Sequence, residues 1–159
     1  MQPYYLGFLY PFVIIGVVIL TVYQKTKTNK ERTKFALLLL QDNVTEIIKN
    51  IKAEVVGSGT KRSKDFYFRS CDVYVLPEAV FLVTYTFFGN GKPLLLTTNK
   101  EKYARFIAGG VLPEIKKINP DSFSHSVYIE YGDISLHSME VDIHLYGLTE
   151  AQREYFRFK

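Results

Sequence analysis

Residues Tyr4 to Tyr23 read YYLGFLYPFVIIGVVILTVY and carry no charged side chain; the first charge after Met1 is Lys25. About 20 mostly apolar residues at ~1.5 Å of helical rise cover roughly 30 Å, the thickness of a bilayer's hydrocarbon core. A cleaved signal peptide would need a basic n-region, a shorter apolar core and a small-x-small cleavage site. Gln2 and Pro3 supply no charge, and Thr21-Val22-Tyr23 offers no such site. The stretch is therefore expected to be a retained transmembrane anchor over residues 1–24, meeting the lipid bilayer through residues 4–23. Tyr4, Tyr5, Tyr10 and Tyr23 suit the two interfaces. Pro11 would free one carbonyl and kink the helix, which membrane helices tolerate.

The segment that follows gives the orientation. Lys25, Lys27, Lys30, Arg32 and Lys34 stand against Glu31 alone. Basic residues this close to an apolar helix mark the cytoplasmic side, so the expected topology is N-terminus outside and the rest of the chain in the cytoplasm, at the inner membrane. The whole chain holds 20 basic and 16 acidic side chains, and removing residues 1–34 leaves 15 of each. A neutral domain lacks the electrostatic footprint of a nucleic-acid binder. The basic excess is a topology signal and a candidate contact for anionic headgroups.

Thr33 to Lys52 is expected to be helical, because Leu37, Leu40, Val44, Ile47 and Ile51 recur at steps of three or four. Residues 25–52 thus form a basic juxtamembrane segment and a linker helix. It serves as a stalk or packs on the domain, the second being favoured because no heptad persists. Leu37 to Leu40 is apolar on every side. From Ala53 the period changes to that of strands. Gly57-Ser58-Gly59 and Lys61-Arg62-Ser63-Lys64 read as loop, and β-type runs follow at 66–68, 72–76 and 80–88. Gly89-Asn90-Gly91 is a hairpin signal with Leu94 to Thr97 as the return strand. Thr98-x-x-Glu101 opens a short helix carrying Tyr103 and Phe106, ended by Gly109-Gly110. Further strands are expected at 116–119, 126–131 and 140–146. In the last, Val141, Ile143 and Leu145 alternate with Glu140, Asp142 and His144, the pattern of a sheet with one wet face. Thr149 to Gln152 is a second capping box, starting a helix that presents Ala151, Tyr155 and Phe158.

The expected fold is α+β and mostly β: a small barrel or two packed sheets closed by the C-terminal helix. The stretches VDIHLYGLTEAQREYF and KKINPDSFSHSVYIEYG resemble the closing region of bacterial pleckstrin-homology-like (PH or GRAM-like) domains held behind a single membrane helix. The resemblance covers residues 53–159. It implies a non-catalytic scaffold that recruits a protein partner or a lipid surface.

Candidate chemistry is sparse. PH domains that bind phosphoinositides carry basic residues on their first strands. Here Lys61, Arg62, Lys64 and Arg69 lie in that region, although Asp65 and Phe66-Tyr67-Phe68 depart from the usual spacing, and a solvated loop is the simpler account. Lys25, Lys27, Lys30, Arg32, Lys34, Lys61, Arg62 and Lys64 are the candidate lipid-headgroup contacts. Glu140, Asp142 and His144, with His137 nearby, offer an alternative, a small membrane-tethered enzyme assisted by a metal. Residues two apart on a strand lie about 6.8 Å apart, however, so outward polar alternation explains them more simply. Cys71 is the sole cysteine, in an expected strand. Ser122, Ser124, His125 and Ser126 share a loop, but no nucleophile elbow, P-loop, dinucleotide fingerprint, HExxH or CxxC occurs. No catalytic, cofactor or metal residue is assigned, and neither nucleic acid nor a small-molecule substrate is expected. Among the aromatic residues, Phe66, Tyr67, Phe68, Phe87 and Phe88 cannot all point inward. A protein partner is expected at a sheet edge or this aromatic patch, with lipid contact confined to residues 24–34.

Overall fold

Helix α1 runs unbroken from Tyr4 to Leu40 in the computed structural model, which describes residues 4–58, 67–103, 113–133 and 139–158, with side chains from Tyr10 onward except at positions 58, 124, 133 and 139. A 3-10 turn at Gln41–Asn43 ends it and leads into β1 (Glu46–Ser58). Then come β2 (Ser70–Leu76), β3 (Ala79–Thr86), β4 (Gly89–Asn90), β5 (Leu94–Thr97), the single turn α2 (Lys100–Tyr103), β6 (Glu114–Ser122), β7 (Ser126–Asp133), β8 (Met139–Tyr146) and α3 (Glu150–Glu154).

The eight strands form one mixed sheet in the order β2-β1-β8-β7-β6-β5-β3-β4, and β2 also pairs with β3, so the sheet curls round upon itself. All pairings are antiparallel except β5–β6, which meet in parallel at Thr97 and Glu114 alone. The concave face encloses the main core. Val73 and Val75 of β2, Val80 and Leu82 of β3, Val127 and Ile129 of β7, and Ile143 and Leu145 of β8 all point into it. The convex face divides in two. Over β2, β3 and β5 it carries a second apolar cluster, with Leu76, Phe81, Val83 and Leu95 packed beneath Leu40 of α1. Over β8 and β7 it is polar. This is why β3 reads as a continuous apolar run and β8 as an alternating one: the first is covered on both faces, the second on one.

This architecture, a long helix packed on an eight-stranded mixed sheet with a short C-terminal helix, corrects the expected fold of a transmembrane helix followed by a PH-like domain. Among the described residues no helix is long and apolar enough to cross a membrane. Helix α1 continues through the lysines and becomes part of the domain, so anchor and linker are one element.

The expected helix over 33–52 is also corrected, since residues 46–58 are β1. The physical reason is a bulge. Ile48 pairs with Val73 but Ile51 with Cys71, so β1 spends one residue more than β2 between these pairs. Asn50 takes a φ of 55° there, a conformation asparagine accepts readily. Its N–H donates to Asp72 Oδ1 at 2.8 Å. The extra residue puts Ile48 and Ile51 on the same inner face, three positions apart, whereas Ile47, which the helical reading set on one face with Ile51, is exposed.

Two local expectations shift by a residue or two. The chain reverses at Phe87–Phe88, and Gly89 and Asn90, expected to be the turn, instead form β4 against Thr86 and Tyr85. Leu94–Thr97 does return along β3, pairing Leu94 with Leu82 and Thr97 with Ala79. At the C-terminus the capping box forms as expected: the Gln152 N–H donates to Thr149 Oγ1 at 3.2 Å, and the Thr149 N–H to Gln152 Oε1 at 3.0 Å. The helix lasts little more than one turn, however. Tyr155 is therefore exposed, and Phe156, not Tyr155, is buried in the main core.

Candidate functional site

The lower half of α1 carries its docking stripe. Val22, Thr26, Asn29, Thr33, Ala36, Leu37 and Leu40 follow one another at helical steps and are all less exposed than their neighbours. The upper part of the stripe is polar because it meets the edge strand β4. Thr26 Oγ1 donates to the Phe88 carbonyl at 3.4 Å and Asn29 Nδ2 to the Asn90 carbonyl at 3.1 Å. Thr33 Oγ1 donates back to the Asn29 carbonyl at 2.9 Å. These contacts cover an edge that would otherwise present free carbonyls. The fit is close: Gly89 has a φ of 115°, and a Cβ there would lie 3.0 Å from Thr26 Cγ2.

Above Thr26 the helix leaves the sheet. Phe12, Val13, Ile14, Ile15, Val17, Val18, Ile19 and Leu20 are each between 46% and 70% exposed. Successive residues turn by about 100°, so this run presents apolar side chains on every side of the helix. Thr21, the hydroxyl nearest the run, donates to the Val17 carbonyl at 2.7 Å and so is satisfied within the helix. At the base of the run Tyr23 is exposed, and Lys25, Lys27, Lys30, Arg32 and Lys34 all lie on the solvent side of α1. The sequence-predicted cationic cluster is therefore a band on one rigid helix rather than a linker. Phe87 and Phe88 stand beside this band. They are 80% and 69% exposed and meet edge to face with ring centroids 5.3 Å apart.

The other candidates are placed differently. Lys61, Arg62 and Lys64 lie outside the described residues, as do Phe66, Phe106 and His137. Glu140, Asp142 and His144 share the polar convex face but have other partners. Glu140 pairs with Lys116 at 2.6 Å. Asp142 accepts from Tyr128 Oη at 3.0 Å. His144 packs between Tyr128 and Tyr146, at 5.1 and 6.2 Å between ring centroids. Among the described residues no three His, Cys, Asp or Glu side chains are grouped to hold a metal ion. In the serine loop, Ser126 Oγ donates to the Phe123 carbonyl and His125 is exposed at a φ of 56°.

Cys71 is fully buried, and burial, with the Asp72 charge adding to it, pushes its thiol from 9.0 to about 12. Tyr85 rises from 10.0 to about 12 through burial and its hydrogen bond to Asp72. Both groups keep their proton longer in the folded chain than in the unfolded one. Their stabilisation is complete below the unfolded values and is lost as pH rises toward the folded ones. Urea midpoints should therefore fall between pH 9 and 12, and Cys71→Ala should flatten that fall. A midpoint independent of pH over that range would contradict the thiol's burial.

The docking stripe of Thr26, Asn29 and Thr33 is the feature the sequence reading missed. Its signal was small polar residues at steps of three and four inside a lysine-rich segment. Compared with family profiles, curated proteins and solved structures, the chain matches none.

Proposed function

We propose that the protein is a non-catalytic binding module held at a lipid surface by the apolar upper part of α1, with the sheet domain as its platform for a protein partner. One observation carries the reading: the run from Phe12 to Leu20 is exposed and apolar all round. A protein groove covers one face of a helix, whereas hydrocarbon covers all of them. Each large apolar side chain moved out of water gains roughly 1.5–3 kcal/mol, so burying half of this run is already worth on the order of 10 kcal/mol. The intrahelical bond of Thr21 suits such a medium, and the cationic band suits anionic headgroups at its border. The buried Cys71 and the engaged Glu140, Asp142 and His144 give the enzyme alternative no support.

Flotation of the full chain with phosphatidylcholine–phosphatidylglycerol vesicles tests this. The chain should rise with the vesicles, and Ile15→Glu with Ile19→Glu should stay below while keeping the same thermal unfolding. Wild-type protein left in the dense fraction, or charge variants that float equally well, would refute the reading.

A further inference from the structure

The Phe87–Phe88 turn occupies one particular level of the molecule. Through the Phe88 carbonyl it is tied to Thr26, one helical turn below Tyr23 and one above Lys30. Along α1 the order is thus apolar residues 12–20, then Tyr23, then the cationic band from Lys25 to Lys34, with Phe87 and Phe88 held at the upper end of that band through Thr26. Hydrocarbon, aromatic belt and anionic headgroup follow one another in that order across a membrane interface.

The tip is also built to hold its shape. Thr86 Oγ1 accepts from the Phe88 N–H at 3.3 Å and donates to the Gly89 carbonyl at 3.0 Å. Gly89 supplies the positive φ that a tight reversal needs, so the two central positions are free for large side chains. Such positions usually go to Asn, Asp or Gly, which water solvates. Two adjacent phenylalanines on a fixed tip instead present apolar area that water penalises.

We infer that Phe87 and Phe88 form a second lipid contact, seated in the interfacial layer of an anionic membrane beside the base of the α1 apolar run. This rests on the lipid-surface reading above and deepens it. The helix alone would leave the domain free to lean in any direction, and the hydrogen-bonded tip fixes the β3–β4 end of the sheet against the headgroups. The expected lipid contact thereby widens from residues 24–34 to a site built from two parts of the chain.

The chain has no tryptophan, so single Tyr23→Trp and Phe88→Trp variants report two defined places. With phosphatidylcholine–phosphatidylglycerol vesicles brominated in the acyl chains, both should shift to the blue and lose most of their emission. In the Tyr23→Trp background, Phe87→Ala with Phe88→Ala should weaken partitioning by roughly tenfold or more, since each ring removes apolar area worth over 1 kcal/mol. Quenching of Tyr23→Trp with Phe88→Trp left as in buffer would overturn the inference while leaving the lipid-surface reading in place. Quenching of neither would overturn both.

Discussion

Replacing Phe156 by alanine is expected to lower the stability of the fold by about 3–5 kcal/mol, whereas Tyr155→Ala should cost less than ~1 kcal/mol. The two residues are neighbours and similar in size, yet Phe156 has no exposed surface and Tyr155 is 40% exposed. Phe156 enters the main core together with Leu148, at either end of the segment held by the Thr149–Gln152 capping box. Asp121 of β6 fixes the same segment from outside, accepting from Arg153 at 3.0 Å and Arg157 at 2.6 Å. The surroundings therefore have little room to collapse into the space a truncation leaves, which puts the cost in the upper part of the range. Thermal melts of the two variants should separate by about 10 °C or more. Equal melting temperatures would mean that α3 does not close the concave core.

Leu40→Ala should destabilise by about 2–5 kcal/mol, and Leu38→Ala by no more than ~0.5 kcal/mol. Leu37 to Leu40 are four consecutive leucines, and only geometry separates them. Leu40 is fully buried against the outer cluster of Leu76, Phe81, Leu95 and Tyr103, whereas Leu38 is 66% exposed. Tyr103 in turn donates its hydroxyl to the Pro77 carbonyl, which fixes the floor of that cluster. Loss of Leu40 thus removes the apolar end of the α1 docking stripe. The polar end, Thr26 and Asn29 on β4, stays in place. Chemical denaturation should show the drop for Leu40→Ala alone. A similar loss for both variants would mean that the helix docks by a different face.

Much of the β architecture was legible. The alternation of Val141, Ile143 and Leu145 predicts an inner face, and all three are buried. Pro77-Glu78 predicts a break between two runs, and the chain turns there with Glu78 at a φ of 63°. Local chemistry suffices in such cases, because a period of two or a turn residue acts within a few positions. The bulge in β1 was not legible. A pairing offset of one residue changes an apolar spacing from two to three, and only the partner strand shows that this has happened.

The candidate surface divides along the same line. By itself the sequence determined that residues 12–20 are apolar, that lysines follow them, and that the remainder of the chain is electrically neutral. These are sums over neighbouring residues and need no fold. Tertiary structure alone decided that the apolar run and the cationic band belong to one rigid helix, and that Phe87 and Phe88, more than 50 positions away, sit at the upper end of the band. Contacts across such separations depend on which strand edge a helix covers. Here that was decided by two side-chain hydrogen bonds from Thr26 and Asn29 to the carbonyls of Phe88 and Asn90.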